Sequence, residues 1–139
     1  MELLFTQAVP EDAEALCELF LRYSRELENY EMEYTLIEPT LLGSIQSRIK
    51  SRVTLAAVAK DGDRVVGFLF CNISRLSGYS YEGSPLFGYI SDTYVLPEYR
   101  GHHVASRLGE MACQWLKEND EATLFSSCYL TVYGWMSNF

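Results

Sequence analysis

The residues best equipped for chemistry fall in one run: Ser91-Asp92-Thr93-Tyr94-Val95-Leu96-Pro97-Glu98-Tyr99-Arg100-Gly101-His102-His103-Val104-Ala105-Ser106. The run reads as a strand, a tight connection at Pro97, and a helix that opens on small residues. A helix start carries backbone N–H groups without intrahelical acceptors and the positive end of the helix dipole. It is therefore a ready anion site, suited to a pyrophosphate. Gly101, Ala105 and Ser106 are small enough to let a ligand approach the backbone, and Arg100 adds a permanent positive charge. The same run also fits an ordinary strand-to-helix turn, and spacing alone does not separate the two readings.

The elements around this run are legible from periodicity. Leu3 to Gln7 is a short strand candidate. Pro10 suits a first helical turn, and Glu11 and Asp12 complement the dipole there. Ala13, Leu16, Cys17, Phe20, Leu21, Ser24 and Leu27 then recur at helical spacing, which predicts a helix over 10–28. A polar, aromatic connection leads to a second predicted helix, Pro39 to Ser51, with Leu42, Ile45 and Ile49 on one face. Val53 to Lys60 and Val65 to Ile73 read as strands around an Asp61-Gly62-Asp63 hairpin turn. A Gly-, Ser- and Tyr-rich loop precedes a strand over Phe87 to Val95. A helix follows over Gly101 to Glu118, with Val104, Leu108, Met111 and Trp115 on its apolar face. Ser126 to Tyr133 is a last strand.

This order predicts an α+β fold, an α/β/α sandwich. Its twisted sheet is mixed and mostly antiparallel, with helices on both faces. The middle strands are antiparallel because a hairpin and a loop join them; the strands flanking the last helix are parallel if they share a sheet.

A chain of 139 residues fits one domain, 1–139, and its 48% hydrophobic content can build a core. The net charge of −8 disfavours nucleic acid, is compatible with a cationic substrate, and equally serves solubility. No apolar run approaches the roughly 20 residues of a membrane span, and the N-terminus is unlike a signal peptide. A cytoplasmic protein is expected. Cys17, Cys71, Cys113 and Cys128 are widely separated and read as reduced, mostly buried thiols. No metal is expected, since adjacent His102 and His103 diverge at a helix start and have no evident partner ligands.

The stretch Tyr94-Val95-Leu96-Pro97-Glu98-Tyr99-Arg100-Gly101, followed by Val104-Ala105-Ser106 and Leu108, resembles the acyl-CoA motif of the GNAT superfamily of N-acetyltransferases. That motif is Arg or Gln, two residues, Gly, one residue, then Gly or Ala. Arg100 and Ala105 match its ends. Thr6 to Ala13 resembles the family's first strand and helix start, and the element order agrees over nearly the whole chain.

The resemblance implies that backbone groups of Thr93, Tyr94 and Val95 pair with the pantetheine arm of acetyl-CoA. The backbone of Gly101, His102, His103, Val104, Ala105 and Ser106, with Arg100 beside it, would then hold the pyrophosphate. A backbone N–H near Tyr94 would polarise the acyl carbonyl. Asp92, on the strand beside the thioester, is a candidate general base or amine anchor; pairing with a Lys or Arg is the competing role. Glu28, Glu31 and Tyr34 border the family's acceptor pocket and are candidate amine-binding residues, or else part of a solvated acidic connection.

Two departures stand out. His103 occupies the motif's Gly position, where it would crowd the phosphate or donate to it. The family's fifth strand, matched by Leu130-Thr131-Val132-Tyr133, leads to a fourth helix with a thiolate-protonating Tyr and then a further strand. This chain ends at Phe139 without them, leaving Tyr133 as substitute acid. Exposed edges of that kind favour a homodimer through the C-terminal strands. The expected function is transfer of an acetyl group from acetyl-CoA to a primary amine of a small molecule or protein. The alternative is a catalytically deficient acyl-CoA-binding or dimerising module of the same fold.

Overall fold

The computed structural model describes residues 2–28, 38–75 and 86–119. The first strand, β1 (Leu4–Gln7), is followed by a 3-10 turn over Pro10–Asp12 and helix α1 (Ala13–Glu28). Asp12 caps the start of this turn. Its Oδ2 accepts from the Val9 N–H at 2.9 Å, satisfying a backbone donor at the helix start, and its Oδ1 pairs with Lys60 at 2.9 Å. Helix α2 (Glu38–Lys50) precedes β2 (Thr54–Asp61) and β3 (Arg64–Arg75), which form the expected hairpin. Asp61 registers with Arg64, and Gly62 takes a left-handed φ of 61° in the intervening turn. Strand β4 (Leu86–Val95), a 3-10 turn over Pro97–Tyr99 and helix α3 (Val104–Glu118) complete the described residues.

The four strands form one sheet in the order β1-β2-β3-β4, each neighbour antiparallel. The strand expected over Ser126 to Tyr133, and with it the parallel pair, lies outside the described residues. Helices cover both faces. Phe20 of α1 stacks on Phe68 of β3 at 5.7 Å between ring centroids, with Phe70 also beside it. On the opposite face, a Cβ built on Gly67 would lie 3.5 Å from Val104 Cγ1 of α3. Side chains alternate along a strand, so Phe68 and Gly67 report the two layers directly.

Two helix faces are rotated from expectation. In α2 the buried residues are Leu41 and Ile45, while Leu42 is exposed. In α3 the buried stripe is Val104, Ala105, Leu108, Gly109, Ala112, Cys113 and Leu116, with Met111 and Trp115 at its margin. The small residues let α3 sit close to the sheet. A Cβ on Gly88 of β4 would fall inside the van der Waals radius of the Leu116 methyl groups. Contact this tight favours the small-residue side of the helix over the larger Met111 and Trp115.

β4 carries an irregularity that reorients one of the candidate site residues. Phe70 registers with Asp92 but Cys71 with Ile90, so Ser91 is an extra residue, a β-bulge. Gly88 faces α3, and strict alternation from it would send Asp92 to the same side. The bulge resets the alternation and turns Asp92 to the α1/α2 face. Among the described residues no helix is long and apolar enough to cross a membrane.

Candidate active site

The segment between β4 and α3 is built around two left-handed residues. Gly101 has φ 83°, and His103 has φ 62° and ψ 23°. His103 is the sole non-glycine residue with positive φ among the described residues, and it is the N-cap of α3. Its side chain makes no capping hydrogen bond. Its carbonyl accepts from the Arg107 N–H at 3.0 Å and so opens the helical ladder. By helix geometry, the N–H groups of Val104, Ala105 and Ser106 have no acceptor within the helix. They project from the dipole's positive end beside exposed Gly101, His102 and His103. An alternation of left-handed and helical residues turns successive N–H groups into one concavity, the arrangement that holds anions. It also gives the physical reason for Gly at the position of His103: a Cβ is disfavoured at this φ.

β4 runs into this turn with one edge turned away from β3. The Leu96 N–H donates to the Val66 carbonyl at 2.9 Å, so the Leu96 amide faces β3. By the two-residue period the Tyr94 backbone faces β3 as well, and the backbone groups of Thr93 and Val95 face the other way. The Val95 carbonyl accepts from Arg100 Nε at 2.9 Å. Of the three residues expected to offer backbone to a pantetheine arm, Thr93 and Val95 are the ones turned outward. Tyr94 contributes its backbone to the sheet.

Arg100 is held on the side of α1. Its two terminal nitrogens donate to Glu26 Oε1 and Oε2 at 2.8 and 2.9 Å, a two-pronged pair, and its guanidinium lies 5.3 Å from the Tyr94 ring centroid. The Arg100 hydrogen bond is the main reason the Glu26 carboxyl is held below the usual range. Tyr94 is pushed up, first by burial and then by the Glu26 charge. The guanidinium thus clamps the connection to α1.

Asp92 lies on the α1/α2 face with its side chain 13% exposed. Its Oδ2 is 3.4 Å from Nη1 of Arg48 on α2. The Arg48 guanidinium lies over the Phe70 ring at 4.9 Å and near the Phe20 ring at 5.7 Å. The pairing role weighed for Asp92 is therefore present. Arg48 escaped the sequence reading because it stands 44 residues from Asp92 and looks like an ordinary cation in the last turn of a helix.

Glu28 closes α1, whereas Glu31, Tyr34 and Tyr133 lie outside the described residues, as do the C-terminal strand and the dimer contact built on it. Cys17, Cys71 and Cys113 are thiols. No cluster of His, Cys, Asp and Glu among the described residues could hold a metal ion. One buried polar atom stands out: the Thr93 hydroxyl, 2% exposed, has no hydrogen-bond partner among the described residues.

Comparison with known proteins bears on the fold and the family. No curated protein matches the sequence. Solved structures match the fold. A predicted acetyltransferase with acetyl-CoA from Clostridium acetobutylicum superposes with TM-score 0.72 at 16% identity, covering 86% of this chain and 76% of that one. An acetyltransferase from Vibrio fischeri superposes with TM-score 0.66 at 21% identity, covering 84% of this chain and 88% of that one. An aminoglycoside antibiotic 6'-N-acetyltransferase from Acinetobacter haemolyticus superposes with TM-score 0.68 at 18% identity, covering 86% and 74%. The model of the acetyltransferase (GNAT) family matches residues 13–132, spanning every element from α1 onward. With that match over most of its length, and the left-handed turn into α3 where the acyl-CoA motif falls, the chain belongs to the GNAT acetyltransferase family.

Proposed function

We propose that this protein transfers an acetyl group from acetyl-CoA to a primary amine, of a small molecule or of a protein, in the cytoplasm. The observation that carries the reading is the left-handed Gly101–His103 turn into α3, set beside the outward backbone of Thr93 and Val95. The turn suits a pyrophosphate and the strand edge suits an amide-bearing arm. In this reading the N–H groups of Val104, Ala105 and Ser106 hold the CoA phosphates, and Thr93 and Val95 align pantetheine along β4. The thioester then comes beside Asp92, which takes a proton from the incoming ammonium or anchors it. The amine nitrogen forms a bond to the acyl carbon as the C–S bond breaks and the thiolate leaves. Tyr133 is the candidate acid for that thiolate, and Glu28, Glu31 and Tyr34 are candidate contacts for the acceptor.

Two observations favour a second reading, a CoA-binding module without turnover. His103 places a side chain where the motif has none, and Arg48 already occupies Asp92.

The test is calorimetric titration of acetyl-CoA into the chain and into Ser106→Glu. A carboxylate in the first turn of α3 suits the helix dipole and preserves the fold, but competes with a phosphate for the same N–H groups. Binding that Ser106→Glu weakens about tenfold or more supports the site. Equal binding by both moves the cofactor elsewhere. Thiol release with a panel of primary amines then separates turnover from binding alone.

A further inference from the structure

We propose that the Arg48–Asp92 pair selects an acceptor that carries a carboxylate next to its amine, an α-amino acid in its zwitterionic form. The inference rests on the acyltransferase reading and names the acceptor class for that same site.

The two ion pairs of the site differ in kind. Arg100 meets Glu26 through both terminal nitrogens at 2.8 and 2.9 Å, a closed arrangement. Among the described residues Arg48 meets Asp92 through one nitrogen at 3.4 Å, a long contact rather than a two-pronged one. A guanidinium has five N–H donors and a carboxylate has two oxygens, so this single contact leaves capacity on both partners. Arg48 is also not free to swing away. Its Cζ lies over the Phe70 ring at 4.9 Å and the Phe20 ring at 5.7 Å, and its side chain is still 34% exposed. The bulge at Ser91 turns Asp92 to the same face.

Each acceptor class meets this pair differently. A simple ammonium placed against Asp92 comes close to the Arg48 charge, and a polyamine brings further positive charge with nothing to offset it. Displacing Arg48 instead would strip the guanidinium of its counter-ion while the two aromatic rings still hold it in place. A zwitterion avoids both penalties. Its ammonium lies against Asp92 and its carboxylate against Arg48, so four charges alternate in a ring and the existing pair stays together. The remaining N–H donors of a guanidinium suit a carboxylate geometrically. The overall charge of −8 draws cations to the surface in general, but the charges within contact distance decide which acceptor is bound. Arg48 is thus a specificity residue, and Asp92 keeps its role toward the amine.

Matched acceptor sets test this. Thiol release from acetyl-CoA is followed with several amino acids, each compared with its carboxamide and its decarboxylated amine, for the chain as it stands, Arg48→Gln and Arg48→Lys. The unmodified chain should favour each accepted amino acid over its decarboxylated partner by about tenfold to a hundredfold in kcat/KM. Arg48→Gln should remove or invert that ratio, and Arg48→Lys should keep part of it. Calorimetric acetyl-CoA affinity should be the same in all three proteins, which reports that the fold and cofactor site persist. Carboxamides or amines used as well as the amino acids overturn the inference, as does Arg48→Gln with the preference intact. No turnover of any set while acetyl-CoA binds also overturns it and leaves the cofactor site standing. Failure to bind acetyl-CoA refutes the acyltransferase reading itself. Should Arg48→Gln not fold, the unmodified chain's ratio and Arg48→Lys decide.

Discussion

Replacing His103 by glycine should stabilise the protein. At φ 62° and ψ 23° an L side chain is disfavoured, because its Cβ crowds the neighbouring backbone. That penalty is about 1–2 kcal/mol, at the lower end for His, which tolerates the region better than most residues. Glycine relieves it but loses more freedom on folding, about 0.5–1 kcal/mol. The His103 side chain is exposed and caps nothing, so little packing or hydrogen bonding is lost with it. The expected net gain is up to about 0.5 kcal/mol, a rise of roughly 1–2 °C in Tm for a domain of this size. Urea and thermal denaturation of the chain, His103→Gly and His103→Ala provide the assay. Alanine keeps a Cβ, so His103→Ala should bring no gain. Gly101→Ala provides the reverse control. Its φ is 83° and its added Cβ would meet nothing within 4 Å, so the expected loss of about 1 kcal/mol is conformational alone. If His103→Gly is less stable than the parent, or His103→Ala stabilises as much, the strain argument is refuted. On the proposed cofactor reading, His103→Gly also tightens acetyl-CoA, because nothing then flanks the phosphate-facing N–H groups.

Three further outcomes are expected. Thr93→Val should be neutral or stabilising by up to about 1 kcal/mol in urea denaturation, since the Thr93 hydroxyl is buried without a partner among the described residues and valine matches its shape. Gly88→Ala should cost about 1–3 kcal/mol through its clash with buried Leu116, and Leu116→Ala in the same chain should cost less than it does alone, a non-additivity that a double-mutant cycle reads directly. The Glu26 carboxyl is held low by Arg100, so its contribution is complete above the unfolded-state value, near pH 4.3, and is lost as pH falls through the lower folded value. Stability measured from pH 6 downward should therefore fall less steeply in Glu26→Gln, and identical slopes would refute the pairing.

Local signals in the sequence reached far into the fold. Every described helix and strand was legible to within a few residues, because 3.6- and two-residue periodicities, Pro10, Pro97 and the Asp61-Gly62-Asp63 turn are read from neighbours in the chain. The helix start at Val104 was legible for the same reason, since the N–H groups without intrahelical acceptors belong to the helix itself. Periodicity did not reveal which side of each helix meets the sheet. Leu41 rather than Leu42, and Ala112 and Leu116 rather than Met111 and Trp115, face inward because close packing onto positions such as Gly88 rewards a fit with residues distant in sequence. The candidate site shows the same division. Asp92 was found by its position on the strand before the motif. Its orientation toward α2, however, depends on the pairing of β3 with β4 and on the bulge at Ser91. Arg100 was legible as a cation, but its attachment to Glu26, 74 residues away, was not. The partnership of Arg48 with Asp92 exists only once α2 has packed against β4. The sequence alone determined elements and motifs, because those arise from contacts a few residues apart. The tertiary structure decided which charges meet and what each is left able to bind, because an ion pair depends on distance in space.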